Sequence, residues 1–259
     1  MDISLCRIIL TFIVMQCNAL YAAINNPLNR KQPYSRLKNT MRENHGSIPI
    51  FPLSTTIFYP NTYLPLHIFE PRYKQMVTDT LKEKGLIGIV IFKPGWEESY
   101  FQNPEIVSVG CVGKIEEAIR LEDGKYNIAL MGLNRFRIVR EITGKPYRQA
   151  EVEILEEKND KLLDDNMIQR HPMITLFEDY LRLKNSKQPF DLDRCETLGH
   201  VADQIADELD MRVEQKQTFL EEQDVLQRIH IVQSLLDFKI SLINLSKNQM
   251  DQGLSARRN

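Results

Sequence analysis

The sequence predicts an α+β fold, a β-rich barrel-like N-terminal lobe followed by a helical bundle. Three observations carry that expectation. Between residues 47 and 156 apolar residues alternate or form short continuous runs, broken by proline and glycine. Between 157 and 246 the apolar spacing lengthens to the roughly 3.6 residues of an amphipathic helix. The third is the stretch Ile48–Tyr73, IPIFPLSTTIFYPNTYLPLHIFEPRY, where Pro49, Pro52, Pro60, Pro65 and Pro71 are threaded between apolar side chains. Proline fixes φ and removes an amide donor, so this stretch is expected to form short extended pieces and neither an uninterrupted helix nor the middle of a sheet.

Those pieces lead into a helix. Pro71 suits a first helical turn, Glu70 lies at the positive end of the dipole, and Tyr73, Met76, Val77 and Leu81 share one face before Gly85 stops it. Leu86–Phe92 reads as a buried strand. The loop 93–105 that follows carries Trp96, Tyr100 and Phe101. Ile106–Leu121 continues extended to Asp123-Gly124, a two-residue hairpin signal, and the return strand alternates through Tyr126, Ile128 and Leu130. Gly132 and Asn134 punctuate it before Phe136 and Ile138 resume, and a last strand follows Pro146. Only one helix interrupts these strands, so they are expected to pair as an antiparallel, partly closed sheet.

In the helical half, Pro172 opens a helix lined by Met173, Leu176, Phe177, Tyr180 and Leu181, ended near Pro189. Leu198, Val201, Ala202, Ile205, Ala206 and Leu209 mark a second, and Val213–Leu220 a short third. Asp224 caps a long fourth bearing Leu226, Ile229, Val232, Leu236, Ile240 and Ile243. The expected layout is an extension over 1–46, a β-rich lobe over 47–156, a helical subdomain over 157–246 and a polar tail over 247–259. Within the extension, Ile8–Cys17 is an apolar run too short to span a membrane. It has the form of a signal core with Ala19, Ala22 and Ala23 behind it; residues 25–47 read as a polar linker, within which Met41 is an alternative start.

Composition bounds the chemistry. Lys and Arg number 33 against 35 Asp and Glu, a balance that does not favour a polyanion partner. Cys6, Cys17, Cys111 and Cys195 are scattered and the five histidines lack metal-ligand spacing, so neither a disulfide framework nor a metal site is expected. No GxxxxGK[ST], HExxH or GxSxG occurs, and no catalytic residue or cofactor is assigned. His67 reads as a structural hydrogen-bonder. Arg135, Arg137 and Arg140 read as the solvated face of a strand, the alternative being a phosphate or carboxylate site.

PIFPL, the second proline cluster and LPLHIFEPRY resemble the opening of the Lon protease N-terminal, substrate-binding domain family. The resemblance continues in order through Val109–Gly113, through Leu130–Ile138 (LMGLNRFRI) and through Pro146–Val152 (PYRQAEV). It extends into the helical run His200–Leu236, about 48 to 245 in all. Cys111, Gly113 and one extra residue after Tyr147 depart from the family pattern. The resemblance implies a PUA-like pseudo-barrel with a helical bundle, in a standalone form lacking the ATPase and peptidase domains. It implies a non-catalytic binder of unfolded or partly folded polypeptides, working alone or with a protease or chaperone, in the cytoplasm. Export is the alternative if residues 1–23 act as a signal. Neither a nucleic-acid partner nor a stable membrane span is expected.

The expected mechanism is apolar contact in a groove between or beside the lobes, aided by exposed sheet edges. Trp96, Tyr100, Phe101, Phe69 and Tyr73 are the candidate peptide-binding residues. Two rival readings stay open. One is a peptidase-associated enzyme with an unrecognised active site. The other is an RNA-binding barrel using Arg135 and Arg137 around Phe136.

Overall fold

The computed structural model describes residues 47–164, 171–186, 192 and 195–256, with backbone alone at Phe101 and over 248–256. The expectations for the 1–46 extension, for the helix stop at Pro189 and for the last residues of the tail lie outside the described residues. The chain divides into two compact units. The first runs to Glu156 and takes in Asp210–Glu221; the second comprises Glu157–Leu209 and the chain from Glu222 onward.

The first unit is built on six strands: β1 (Ser47–Leu53), β2 (Tyr63–Ile68), β3 (Leu86–Ile91), β4 (Val109–Arg120), β5 (Tyr126–Ile142) and β6 (Arg148–Ile154). Helix α1 (Pro71–Thr80) falls between β2 and β3, and a 3-10 segment, Trp96–Gln102, between β3 and β4. The strand order is β2-β5-β4-β3-β1-β6, and β6 also pairs with β5, so the sheet closes on itself. Closure is possible because β5 is 17 residues long. Its first part, Tyr126–Met131, carries β2, and its last part, Phe136–Ile142, carries β6, while β4 lies along the other side. A closed sheet leaves few unpaired edges and needs bends to close. One bend is at Gly132: Asn61 N donates to Gly132 O and Gly132 N to Thr62 O, so the 59–62 corner presses against the strand. A Cβ at 132 would lie 2.0 Å from Tyr59 O, which only glycine avoids.

Several expectations change here. Gly132 and Asn134 do not end a strand; they lie within one continuous β5. The pairing is not wholly antiparallel, because β1 runs parallel to β3, with β2 and α1 forming the crossover between them. β1, with Pro49 and Pro52, is also not an edge strand. Its two neighbours take different halves of it: β6 pairs with Ser47–Ile50 and β3 with Ile50–Leu53. Each proline therefore sits where only one side is paired, so a missing amide donor need not break a ladder. Apolar side chains from five strands fill the interior, including Ile50 of β1, Val90 of β3, Val112 of β4, Phe136 of β5 and Ala150 of β6.

The helix α4 (Val213–Glu221), expected with the helical subdomain, belongs to the first unit. Tyr59 Oη donates to Lys216 O at 3.0 Å, Gln217 Nε2 to Val109 O at 3.2 Å, and Phe219 packs edge-on to Tyr59. This corrects the reading of Arg135. The outer face of β5 is covered there, and Arg135 is 1% exposed with its Nε donating to Leu220 O. Arg137 and Arg140 do lie on the open face, paired with Glu153 and Glu151. Burial of Arg135 removes it from any RNA-binding surface built on that strand.

In the second unit α2 (Pro172–Leu183), α3 (Leu198–Glu208) and α5 (Val225–Ala256) bury facing stripes: Met173, Ile174, Phe177 and Tyr180; Val201, Ile205 and Ala206; Val225, Val232 and Leu236. On α5 the expected stripe holds at Ile229, Val232 and Leu236, but it begins at Val225, which is buried, and not at Leu226, which is exposed. Asp224 does cap, accepting from Leu226 N at 2.9 Å. Arg228 is buried between Asp203 Oδ1 at 2.5 Å and Glu157 Oε1 at 2.7 Å. Among the described residues no helix is long and apolar enough to cross a membrane.

Candidate functional site

A cavity of about 540 Å³ opens in the first unit. Four pieces of chain meet there: Pro52 at the end of β1, the first turn of α1, the 92–104 segment and the β5–β6 turn with Arg148. Each is placed by a feature of its own sequence. Pro71 at the first helical position starts α1 where an amide donor is dispensable, and this sets Arg72 and Tyr73 at its mouth. The 3-10 segment begins at Gly95 and ends at Asn103, both left-handed, and turns the chain so that Tyr100, Asn103 and Pro104 face the cavity.

Arg72 is held on three sides. Its Nε donates to Glu70 Oε2 at 3.0 Å, and its guanidinium lies 4.7 Å from the Tyr73 ring centre and 5.0 Å from that of Tyr100. Burial works against its charge, yet the Tyr73, Glu70 and Tyr100 groups outweigh it and hold the guanidinium above its ordinary pKa. Tyr100 Oη donates to Glu70 Oε1, and burial, with Tyr73 and Glu70 beside it, pushes the phenol pKa up. Arg148 donates from Nε to Asn103 Oδ1 and from Nη2 to Pro104 O, while its Nη1 stands 3.7 Å from Glu141 Oε2. Its burial lowers its pKa, only partly offset by Glu141 and Tyr73, and Arg72 adds like-charge repulsion.

At the far side Tyr147 Oη donates to Asp79 Oδ2 at 3.0 Å and Lys145 Nζ to the same oxygen at 3.2 Å. Burial and that hydrogen bond push the Tyr147 phenol up to about 12, and the same bond, with Lys145, holds the Asp79 carboxyl below its usual range. The lining carries the cations Arg72, Lys145 and Arg148 and one carboxylate, Glu141; it includes no serine, cysteine or histidine.

Of the five candidate residues, Tyr73 and Tyr100 line this cavity. Trp96 stands one ring behind it, stacked on Phe92 at 5.1 Å, and is 7% exposed. Phe101 lies on the same 3-10 segment. Phe69 is half-buried beside His67, whose Nδ1 is 2.7 Å from Asn127 Oδ1 across β2 and β5. Sequence reasoning missed Arg72, Arg148, Tyr147 and Lys145. EPRY and KPYR hold them and were legible as motifs, but nothing in either string says that the two meet.

A closed mixed sheet with an arginine- and tyrosine-lined cavity in one unit, and a helical second unit, define an α+β protein. Residues 47–237 match the model of the ATP-dependent protease La (LON) substrate-binding domain, and the chain belongs to that family. It is 27% identical over 210 residues to Lon protease 2 of Myxococcus xanthus, covering 80% of this chain and 25% of that protein. It is 28% identical over 211 residues to the Lon protease of Dictyoglomus thermophilum, covering 77% and 25%. The chain thus spans about a quarter of the length of these relatives. Two solved structures share the fold. A Lon N-terminal domain protein from Xanthomonas campestris has a TM-score of 0.52 and 22% identity over 71% of this chain and 95% of that one. The N-terminal domain of the Mycobacterium avium complex Lon protease has a TM-score of 0.57 and 18% identity over 74% and 98%.

Proposed function

We propose that this protein recognises polypeptide segments without performing chemistry on them, acting as an adaptor or holdase linked to proteolysis. The observation that carries this reading is the match of residues 47–237 to a substrate-binding domain. The cavity in the first unit is consistent with it: its lining brings Arg72, Lys145 and Arg148 together for polar contact, and lacks serine, cysteine and histidine side chains for nucleophile-and-base catalysis. The partners are unfolded or partly folded chains, with a separate protease or chaperone receiving them.

The test is fluorescence anisotropy of a labelled, permanently unfolded polypeptide titrated with the full chain, alongside casein degradation with and without ATP. Saturable binding at micromolar concentration with intact casein supports the reading. No binding, or casein cleavage by the purified chain alone, overturns it.

A further inference from the structure

We infer that the cavity between α1 and the β5–β6 turn is a carboxylate-binding site, taking the carboxylate of a peptide as its anchor. This deepens the proposed polypeptide recognition and rests on it. Arg72 Nη2 and Arg148 Nη1 are both buried and make no hydrogen bond, and both side chains line the cavity. A buried donor left unmet is costly, more so when it is charged, so two in one cavity call for an acceptor. Glu141, at 3.7 Å from Arg148, neighbours the charge without satisfying the donor.

Other contacts of both arginines fix the planes of their guanidinium groups. Arg72 is bonded to Glu70 and lies over two tyrosine rings; Arg148 is bonded to Asn103 and Pro104. A guanidinium held in place with an edge to spare is the preorganised partner that a planar carboxylate fits. Tyr73 lines the same cavity, is 4% exposed, and supplies one of the rings over which Arg72 lies.

Electrostatics agrees with this geometry. Arg72 lies close enough to Arg148 to disfavour its charge, which an anion bound beside Arg148 would relieve. The carboxylates behind the lining are already engaged: Glu70 by Arg72 and Tyr100, Asp79 by Lys145 and Tyr147. The lining itself therefore presents three cations against Glu141 alone. A chain terminus and an acidic side chain offer the same chemistry, and the experiment separates them.

Three labelled peptides of one apolar sequence are titrated with the full chain: one with a free C-terminal carboxylate, one amidated, and one amidated with an internal glutamate. The fluorescence of Trp96, the single tryptophan, gives a second readout through its stacking on Phe92 of the lining. One or both carboxylate peptides are expected to bind about tenfold or more tighter than the fully amidated one. Arg148→Gln should abolish that preference and Arg148→Lys should retain part of it, with thermal melting confirming that each variant is folded. Tighter binding of the free-terminus peptide alone assigns a chain end; tighter binding of the glutamate peptide too assigns any carboxylate. Equal binding of all three, with unfolded polypeptide still bound, overturns this site and leaves the proposed function standing. If no peptide or unfolded polypeptide binds, the function itself falls. The site then falls with it unless acetate quenches or shifts Trp96 emission in the wild type and not in Arg148→Gln.

Discussion

Arg135 in β5 donates its Nε to the carbonyl of Leu220, 85 positions later, at 2.9 Å. A fully buried guanidinium thus ties a late helix to the outside of an early sheet. Arg135→Ala leaves that carbonyl unmet and opens a cavity, and should destabilise the first unit by about 3 kcal/mol. Hydrogen exchange should show lost protection across 213–221 beyond the drop in global stability. Unchanged protection there would mean that Tyr59, Gln217 and Phe219 hold α4 without it.

Gly132→Ala should be among the most damaging single changes in the β-rich unit. The added Cβ would meet backbone at 2.0 Å, which no rotamer can relieve. A loss of about 3 kcal/mol or more in urea unfolding is expected. Gly124→Asn, in the hairpin turn at φ +76° with nothing within 4 Å, should cost less than about 1 kcal/mol.

In the second unit, Arg228→Met would remove the cation that Asp203 and Glu157 share, both deeply or largely buried. Breaking a buried pair from one side costs about 3 to 5 kcal/mol. The triple change Arg228→Met, Asp203→Leu, Glu157→Gln should recover most of that loss in equilibrium unfolding. Failure to recover would show that packing around Arg228, and not its charge, is what the wild type needs.

The helix α2 carries a pH dependence. Its N-cap is His171, whose Nδ1 accepts from Met173 N at 3.3 Å, and burial lowers its pKa below the ordinary 6.5. Below pH 6.5 the unfolded chain binds the proton more readily than the folded one, so stability rises with pH and is fully present above that value. It falls on acidification, as Nδ1 loses the lone pair that caps the helix. His171→Asn should keep the cap, worth about 1 kcal/mol, and flatten the slope of unfolding free energy between pH 5 and 7. An unaltered slope in that variant would assign the dependence to other groups.

Much of this fold is legible locally, because the elements announce themselves by period and punctuation. Asp123-Gly124 marks the β4–β5 hairpin, although its loop is three residues (122–124) and not two; Pro71 and Pro172 start their helices, and Asp224 caps α5. Long-range events are not. Whether an arginine on a strand meets water depends on what covers it, so Arg135 reads like Arg137 until α4 is in place. The prolines of β1 suggest an edge, and only the split of its two neighbours lets them lie inside a sheet. The site follows the same rule. Tyr73 and Tyr100 stand out as aromatics, whereas the importance of Arg72 and Arg148 lies in their being brought together from positions 76 residues apart (148 minus 72).

Hydrogen–deuterium exchange of the full chain, with and without a saturating unfolded polypeptide, tests the central claim most directly. If the protein recognises polypeptides through this cavity, protection should appear over the start of α1, over 92–104 and over 141–148, and should be lost in Arg148→Gln. Protection confined to the helices of the second unit, or none at all despite measured binding, would contradict it.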